Sequence, residues 1–452
     1  MKKQVIAIGM DSADPELLNR WMSEGKLPHL NRLRQSGSYC PLENHIEYAG
    51  GRAPYGNTEG SWVMLQTGVA ASTTGYFETI DYNQQTYQAT SDPERGGFDY
   101  LELEPIFALG NDYRIATLDL PVSIVSPGVN GIQVNGWGGH FPFVQRGSKP
   151  KSLLDELSDE YGKNEILYND HGVFWKKNYL KWLEETSISA IEQRTRICLD
   201  LMNREPWDLF LNVITETHGA SHDLWFTSDK NHPVHAAWKG SHDPLLSVFQ
   251  AADRSLGQIA ANVPADSHLV CFSVHGMEPN ISDVNSFFLL PELLYRFNFP
   301  GKIGFAKGKL KAPLRPPYMS GTHWYWCGEI WRRKHAKTAL GRAIRSLLPG
   351  WLVWPPGKDL NFPYTLDWFG PAAGWMPAVW YQPAWPRMRS FGLPSFSDGH
   401  IRINLAGRES QGIVQPKNYE EECDRISEFV LGVTNGRTGK PIVRDIIRTR
   451  RS

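Results

Sequence analysis

The chain has 452 residues, 41% of them hydrophobic and 21% charged, with a formal net charge of −1. That length suits one large α/β domain with an insertion, or two domains. The balanced charge gives no electrostatic basis for a nucleic-acid duplex or an acidic membrane as the main partner. Five cysteines (Cys40, Cys198, Cys271, Cys327, Cys423), scattered without C-x-x-C, argue against a disulfide framework or a zinc ribbon and favour a reducing compartment.

The opening MKKQVIAIGMDSAD has too short an apolar run for a signal-peptide core, and no stretch approaches the roughly 20 residues of a membrane span. A cytoplasmic protein is expected. Val5 to Met10 (VIAIGM) reads as a buried strand ending on Asp11, and Asp14-Pro15-Glu16 as a helix start with Asp14 as its cap. Residues 50–75 are rich in glycine and small polar residues and turn apolar from Trp62, as a loop feeding a helix does. Thr58 would lie near that helix N-terminus, where free N–H groups favour an anion. Read locally, a threonine before a helix is more commonly just a cap.

Residues 80–110 are polar and read as a surface excursion. Tyr113 to Leu120 and Gly131 to Val134 read as strands, and Ile191 to Met202 as a helix leading into Asp208 to Ile214 (DLFLNVI), a strand buried on both faces. The polar turn after it carries Glu216, His218 and His222. On a helix, the spacing of the two histidines stacks both rings on one face, where they could grip a cation. His242-Asp243-Pro244 opens an amphipathic helix. His268 to Val274 (HLVCFSV) reads as another buried strand, delivering His275. Strands alternating with helices indicate an α/β fold with a mostly parallel central sheet and helices on both faces.

Residues 281–390 differ in composition and read as a Trp/Pro-rich insertion or cap. Nine of the 17 tryptophans fall between Trp324 and Trp385. They would serve either as a sugar- or base-stacking surface or as the core of a loop-rich subdomain. Trp331 to Leu348 is basic and amphipathic, suited to anionic lipid or to a solvated face. Beyond it, Ile401 to Leu405 reads as a strand returning to the sheet, with His400 or Asp398 as candidate ligands. Glu420 to Leu431 reads as a helix and Ile442 to Ile447 as a last strand. There is no P-loop, G-x-S-x-G or C-x-P-x-R motif, which weighs against a P-loop enzyme, a serine hydrolase of that type and a formylglycine sulfatase.

Five segments, taken together and in order, resemble the alkaline phosphatase superfamily, in its type I phosphodiesterase/nucleotide pyrophosphatase branch. VIAIGMDSADPELLNRWMSEGKLPHLNRLRQSG resembles its first strand, metal-binding aspartate and following helix. NTEGSWVMLQTG has the spacing of its nucleophile segment, HGASHDLW lies where the family carries D-x-x-x-H, SVHGM where it carries S-D-H-G-M, and INLAGRESQGIV resembles its closing region. The resemblance covers residues 1–280 and 391–452, the α/β core, and leaves 281–390 unrecognised.

It implies a metal-dependent phosphodiesterase or phosphohydrolase acting on a small-molecule or glycan phosphate ester. Thr58 would be the nucleophile, and Asn57 with the Thr58 amide would hold a non-bridging oxygen. Asp11, Thr58 and His275 would face one cation. His218 and His222 would face another, with a third histidine, His400 first and His323 second. Such ligands suit Zn2+, with Mn2+ as the alternative. Two departures stand out: His218 replaces the family's first aspartate, and Val274 replaces the aspartate of D-H-G and cannot ligate. One or two ions are therefore expected, with Glu216 as a possible substitute ligand. The alternatives are a degenerate member that binds a carbohydrate or nucleotide without hydrolysis, and a membrane-surface enzyme acting on lipid-linked phosphate esters.

Overall fold

The computed structural model describes residues 3–48, 51–54, 57–76, 80–91, 97–100, 102–139, 145–168, 178–279, 284–304, 338–347, 360–361, 373–374, 376–395 and 399–449. The first elements in chain order are β1 (Val5–Met10), α1 (Pro15–Ser23), α2 (Pro28–Ser36), the hairpin β2–β3 (His45–Tyr48 and Gly51–Pro54), α3 (Thr58–Thr67) and α4 (Ala71–Thr74). There follow the hairpin β4–β5 (Ile80–Asn83 and Gln88–Ser91), β6 (Ile115–Leu118), β7 (Gly131–Asn135), β8 (Gly147–Lys149), α5 (Leu153–Tyr161) and α6 (Tyr179–Arg204). Then come β9 (Leu209–Ile214), α7 (Glu216–Ser228), α8 (Pro244–Ala261), β10 (His268–Phe272) and α9 (Leu290–Asn298).

Six strands form the central sheet in the order β10-β1-β9-β6-β7-β8. All neighbours are parallel except β8, which runs antiparallel to β7. The α/β expectation is met. Period-2 alternation serves both faces at once. Ile6, Ile8 and Met10 of β1, with Phe210 and Ile214 of β9, join Leu183, Ile191 and Leu201 of α6 and Leu245, Phe249 and Leu256 of α8 in one apolar cluster. Leu209, Leu211 and Val213 point the other way, into a cluster with Trp62 and Val63 of α3, Phe107 and Val274. Register places Met10 beside Ile214, and Leu118 beside Asn212. The carboxyl ends of β1, β9, β6 and β10 therefore open on one rim, where parallel α/β sheets place their sites.

The helix starts follow their local chemistry. Asp14 and Asp243 cap α1 and α8 by accepting from Leu17 N (2.9 Å) and Leu246 N (3.1 Å), each followed by proline.

Four expectations are corrected. β10 is an edge strand paired only with β1 among the described residues, and Val270 on it is 43% exposed; its apolar run does not report burial on both faces. The described part of residues 80–110 is not wholly a surface excursion. Tyr87 and Ala89 of the β4–β5 hairpin are buried in a second core, with Phe391, Trp380 and Trp385, and Tyr100 and Phe107 are buried elsewhere. The strand Ile401–Ile403 does not return to the central sheet but pairs antiparallel with Ser390–Gly392. Residues 442–447 are not a strand.

This tail packs on α9 and on the β4–β5 hairpin. Tyr87 Oη donates to Asn404 Oδ1 at 2.6 Å, and the Trp385 and Phe391 rings stack at 4.9 Å. Of the nine clustered tryptophans, Trp380 and Trp385 are buried there as core; the other seven lie outside the described residues. Glu420 to Leu431 falls within the helix Tyr419–Leu431, as expected.

Candidate metal centre

Asp11 is the first residue past β1, and its N–H donates to Ile214 O of the neighbouring strand (3.1 Å). α7 begins directly after β9 and is pinned to the same point: Thr217 Oγ1 donates to Asp11 O at 2.6 Å. His218 follows on the first turn. Beyond β10, Ser273 accepts from Ala13 N (3.2 Å) and donates to His275 O (2.8 Å), which fixes the loop carrying His275 against the loop carrying Asp11.

The result is one tight cluster. Ligand atoms of Asp11, His218 and His275 lie within 4.8 Å of one another. His275 Nε2 stands 2.9 Å from Asp11 Oδ1, and His218 Nδ1 stands 3.5 Å from Asp11 Oδ2 and 2.7 Å from Ser12 Oγ. Ser12 reaches that ring from a left-handed backbone conformation (φ 58°), uncommon for a non-glycine residue and characteristic of constrained sites. His222, exposed on the next turn of α7, meets His218 Nε2 with its own Nε2 at 2.9 Å.

Protonation follows from partners. His275 Nδ1 lies 2.9 Å from the carbonyl of Gly276, which can only accept, so Nδ1 carries the hydrogen. In the neutral ring, Nε2 then presents a lone pair to a carboxylate, and it makes no aligned hydrogen bond. Two acceptors facing at that distance require a positive charge between them. In the metal-free protein a proton can supply it. Burial alone would lower the His275 pKa, but Asp11 raises it above the ordinary value. Burial alone would raise Asp11, but His218 and His275 hold its carboxyl well below the usual range. A metal cation satisfies the same geometry, and two imidazoles with one carboxylate form a three-ligand zinc set that leaves a position open.

The N-terminus of α3 lies beside this cluster. Trp62 Nε1 donates to Asp11 Oδ1 at 3.1 Å, and Glu59 bears electrostatically on His275. Asn44 Nδ2 donates to Val274 O (2.5 Å) and lies 3.4 Å from Ser61 Oγ, joining β10 to α3. Thr58, first residue of α3, sits one turn ahead of Trp62 on the same helix face. The cap is Asn57, whose Oδ1 accepts from Gly60 N at 2.7 Å. This leaves Thr58 free of the capping role.

Other expected ligands are elsewhere. His400 lies beside the Ser390–Gly392/Ile401–Ile403 hairpin and is outside the three-residue cluster; His323 and Asp398 lie outside the described residues. Glu216 is no substitute ligand. Arg194 Nε and Nη2 donate to both its oxygens (2.8–3.1 Å), and Asn164 Nδ2 adds a bond to Oε1 (2.8 Å). Val274 is buried among apolar residues. Ser12, Asn44, Trp62 and Ser273 were missed by sequence reasoning. Only the unusual backbone of Ser12 and long-range pairing reveal them, and neither leaves a local pattern.

No protein-family model matches the chain, and no curated protein matches it. Among solved structures it is similar to a phosphonoacetate hydrolase from Sinorhizobium meliloti 1021 in complex with phosphonoformate. The TM-score is 0.34 at 14% identity, over 64% of this chain. The aligned part spans 62% of that chain.

Proposed function

We propose that the protein is a metal-dependent hydrolase of phosphate esters. The observation that carries this reading is the convergence of Asp11, His218 and His275 on one point beside the N-terminus of α3. A divalent cation, zinc before manganese, would be held by these three side chains, and when bound it supplies Lewis-acid polarisation of a phosphoryl oxygen. One cation is favoured over two, because Val274 is apolar and Glu216 is committed to Arg194.

The chain's own groups supply the rest. The free N–H groups at the start of α3 hold a non-bridging phosphate oxygen, with Asn57 shaping that turn through its cap. The Thr58 hydroxyl is the nucleophile. Its Oγ–P bond forms as the bond to the leaving alkoxide breaks, and water then cleaves the phosphothreonine. His222 steadies His218 from the solvent side, the orienting role that partners of metal-bound imidazoles take.

The test combines metal analysis of the purified protein with turnover of bis-p-nitrophenyl phosphate by wild type and Thr58→Ala. Metal bound at unit stoichiometry, with turnover lost in the variant, supports the reading. An unchanged rate in Thr58→Ala removes the nucleophile assignment.

A membrane-surface setting for that activity is favoured by one observation. On the helix Ala339–Ser346 and just past it, Leu340, Ile344 and Leu347 recur at helical spacing and are 71%, 51% and 85% exposed. The surrounding sequence from 331 to 358 carries seven Lys/Arg and no acid, the composition of an interfacial anchor for anionic lipid. Co-sedimentation with phosphatidylglycerol vesicles, lost in Leu340→Glu/Ile344→Glu, is the expected result. Equal recovery with phosphatidylcholine vesicles would refute the electrostatic part.

A further inference from the structure

Behind the cluster lies a second group of charges that the proposed chemistry does not use. Arg194 of α6 is fully buried, with Trp137 under its guanidinium at 5.2 Å. It grips both oxygens of Glu216, donates to Thr215 Oγ1 (3.0 Å), and stands 2.9 Å from Asp119 Oδ2. Asp119, just past β6 with φ 51°, in turn accepts from the N–H groups of Trp137 (3.0 Å) and Gly138 (2.7 Å) past β7. The fit is close at Gly138, where a Cβ would lie 2.2 Å from Arg194 Nη2. One guanidinium therefore ties α6, the ends of β6 and β7, and the first residue of α7.

We propose that Arg194 is a positioning residue that sets the rotation of α7, and so the aim of His218 into the metal centre. The proposal rests on the metal-site reading above. Three successive residues of α7 divide the work: Glu216 is held by Arg194, Thr217 is bonded to Asp11 O, and His218 faces Asp11. A rotation at Glu216 carries His218 with it, because both lie within one helical turn. Stability alone gives little reason for such a cluster, since buried ion pairs replaced by apolar residues of similar volume often leave a fold as stable or more so. The planar fork of arginine, matched to a carboxylate, fixes orientation in a way that lysine's point charge does not.

The experiment compares wild type, Arg194→Lys and the neutralised triple variant Asp119→Asn/Arg194→Met/Glu216→Gln. Zinc affinity is measured by competition with a chromophoric chelator, and ligand geometry by the visible spectrum of the cobalt-substituted protein. Circular dichroism and thermal unfolding in chelator report the fold. Folded variants should bind zinc about 10- to 100-fold more weakly, the range seen when partners of metal ligands are lost, with a weaker or shifted cobalt spectrum. A folded variant with wild-type affinity and spectrum overturns the proposal. Should the triple variant fail to fold, Arg194→Lys decides it. Failure of the wild type itself to bind zinc or cobalt would instead sink the metal-site reading, so the two failures are distinguishable.

Discussion

The Trp62 side chain of α3 is bonded to the cluster, and Trp62→Phe isolates that bond. The indole N–H donates to a carboxylate in a buried setting, and hydrogen bonds to charged groups contribute about 1.5–3 kcal/mol. Phenylalanine keeps the apolar contacts with Phe272 but leaves a void of about 40 Å³, worth about 1 kcal/mol. The expected loss is therefore about 2.5–4 kcal/mol, a fall in Tm of only about 2–4 °C for a chelated chain of 452 residues. The deciding measurement is a double-mutant cycle with Asp11→Asn, followed by urea unfolding. The tryptophan change should cost at least about 1 kcal/mol less when residue 11 is neutral, because a charge-assisted bond becomes an ordinary one. Strict additivity would refute the reasoning and leave Trp62 as packing alone.

Other expectations test neighbouring claims. Asn212 is fully buried on β9, between Ile8 and Leu118, with neither side-chain polar atom bonded among the described residues. Asn212→Leu should leave Tm unchanged or raise it, and a loss above about 1 kcal/mol would show that the amide has a partner. Asp11 is held below its ordinary 3.8, so its contribution is present above that pH and lost as pH falls; His275 is held above 6.5, so its contribution is complete below 6.5 and lost as pH rises through the raised value. Chelated protein should then be most stable between about pH 4 and 6.5, with zinc moving the optimum upward as it displaces the proton. A urea midpoint that climbs steadily toward pH 8 in chelator would contradict this. Burial pushes the Cys198 thiol up to about 12, whereas Cys40 is exposed. A thiol reagent at pH 8 should label Cys40 quickly and spare Cys198 until the protein unfolds.

The sheet was legible because its strands are short apolar runs separated by helix signals, and β1, β6, β7 and β9 all lie where those runs lie. The cap residues Asp14 and Asp243 were readable for the same reason: their chemistry is local. What failed was topology. HLVCFSV looks the same whether it is central or at an edge, and INLAG looks the same whether it joins the main sheet or a separate hairpin. Within the candidate site, Asp11, His218 and His275 could be singled out because each follows a strand, and strand ends share a rim, where the structure brings the three together. The grouping was not readable. Assigning His218 and His275 to different cations depended on distances across β1 and β9, which spacing along the chain does not encode. The commitment of Glu216 to Arg194 is likewise a contact between helices, invisible at the level of THGASH.

The order of the strands has a consequence for biosynthesis. Asp11 leaves the ribosome early, whereas the loop that completes its surroundings belongs to a strand far downstream; Ala13 and Ser273 are bonded although 260 residues separate them. Since β10 is the outermost strand and touches only β1 among the described residues, it is the last member the sheet has to recruit. A nascent chain halted before β10 would expose one flank of β1 and lack His275, one of the three proposed ligands. Metal loading should therefore mark chains whose translation has passed that point.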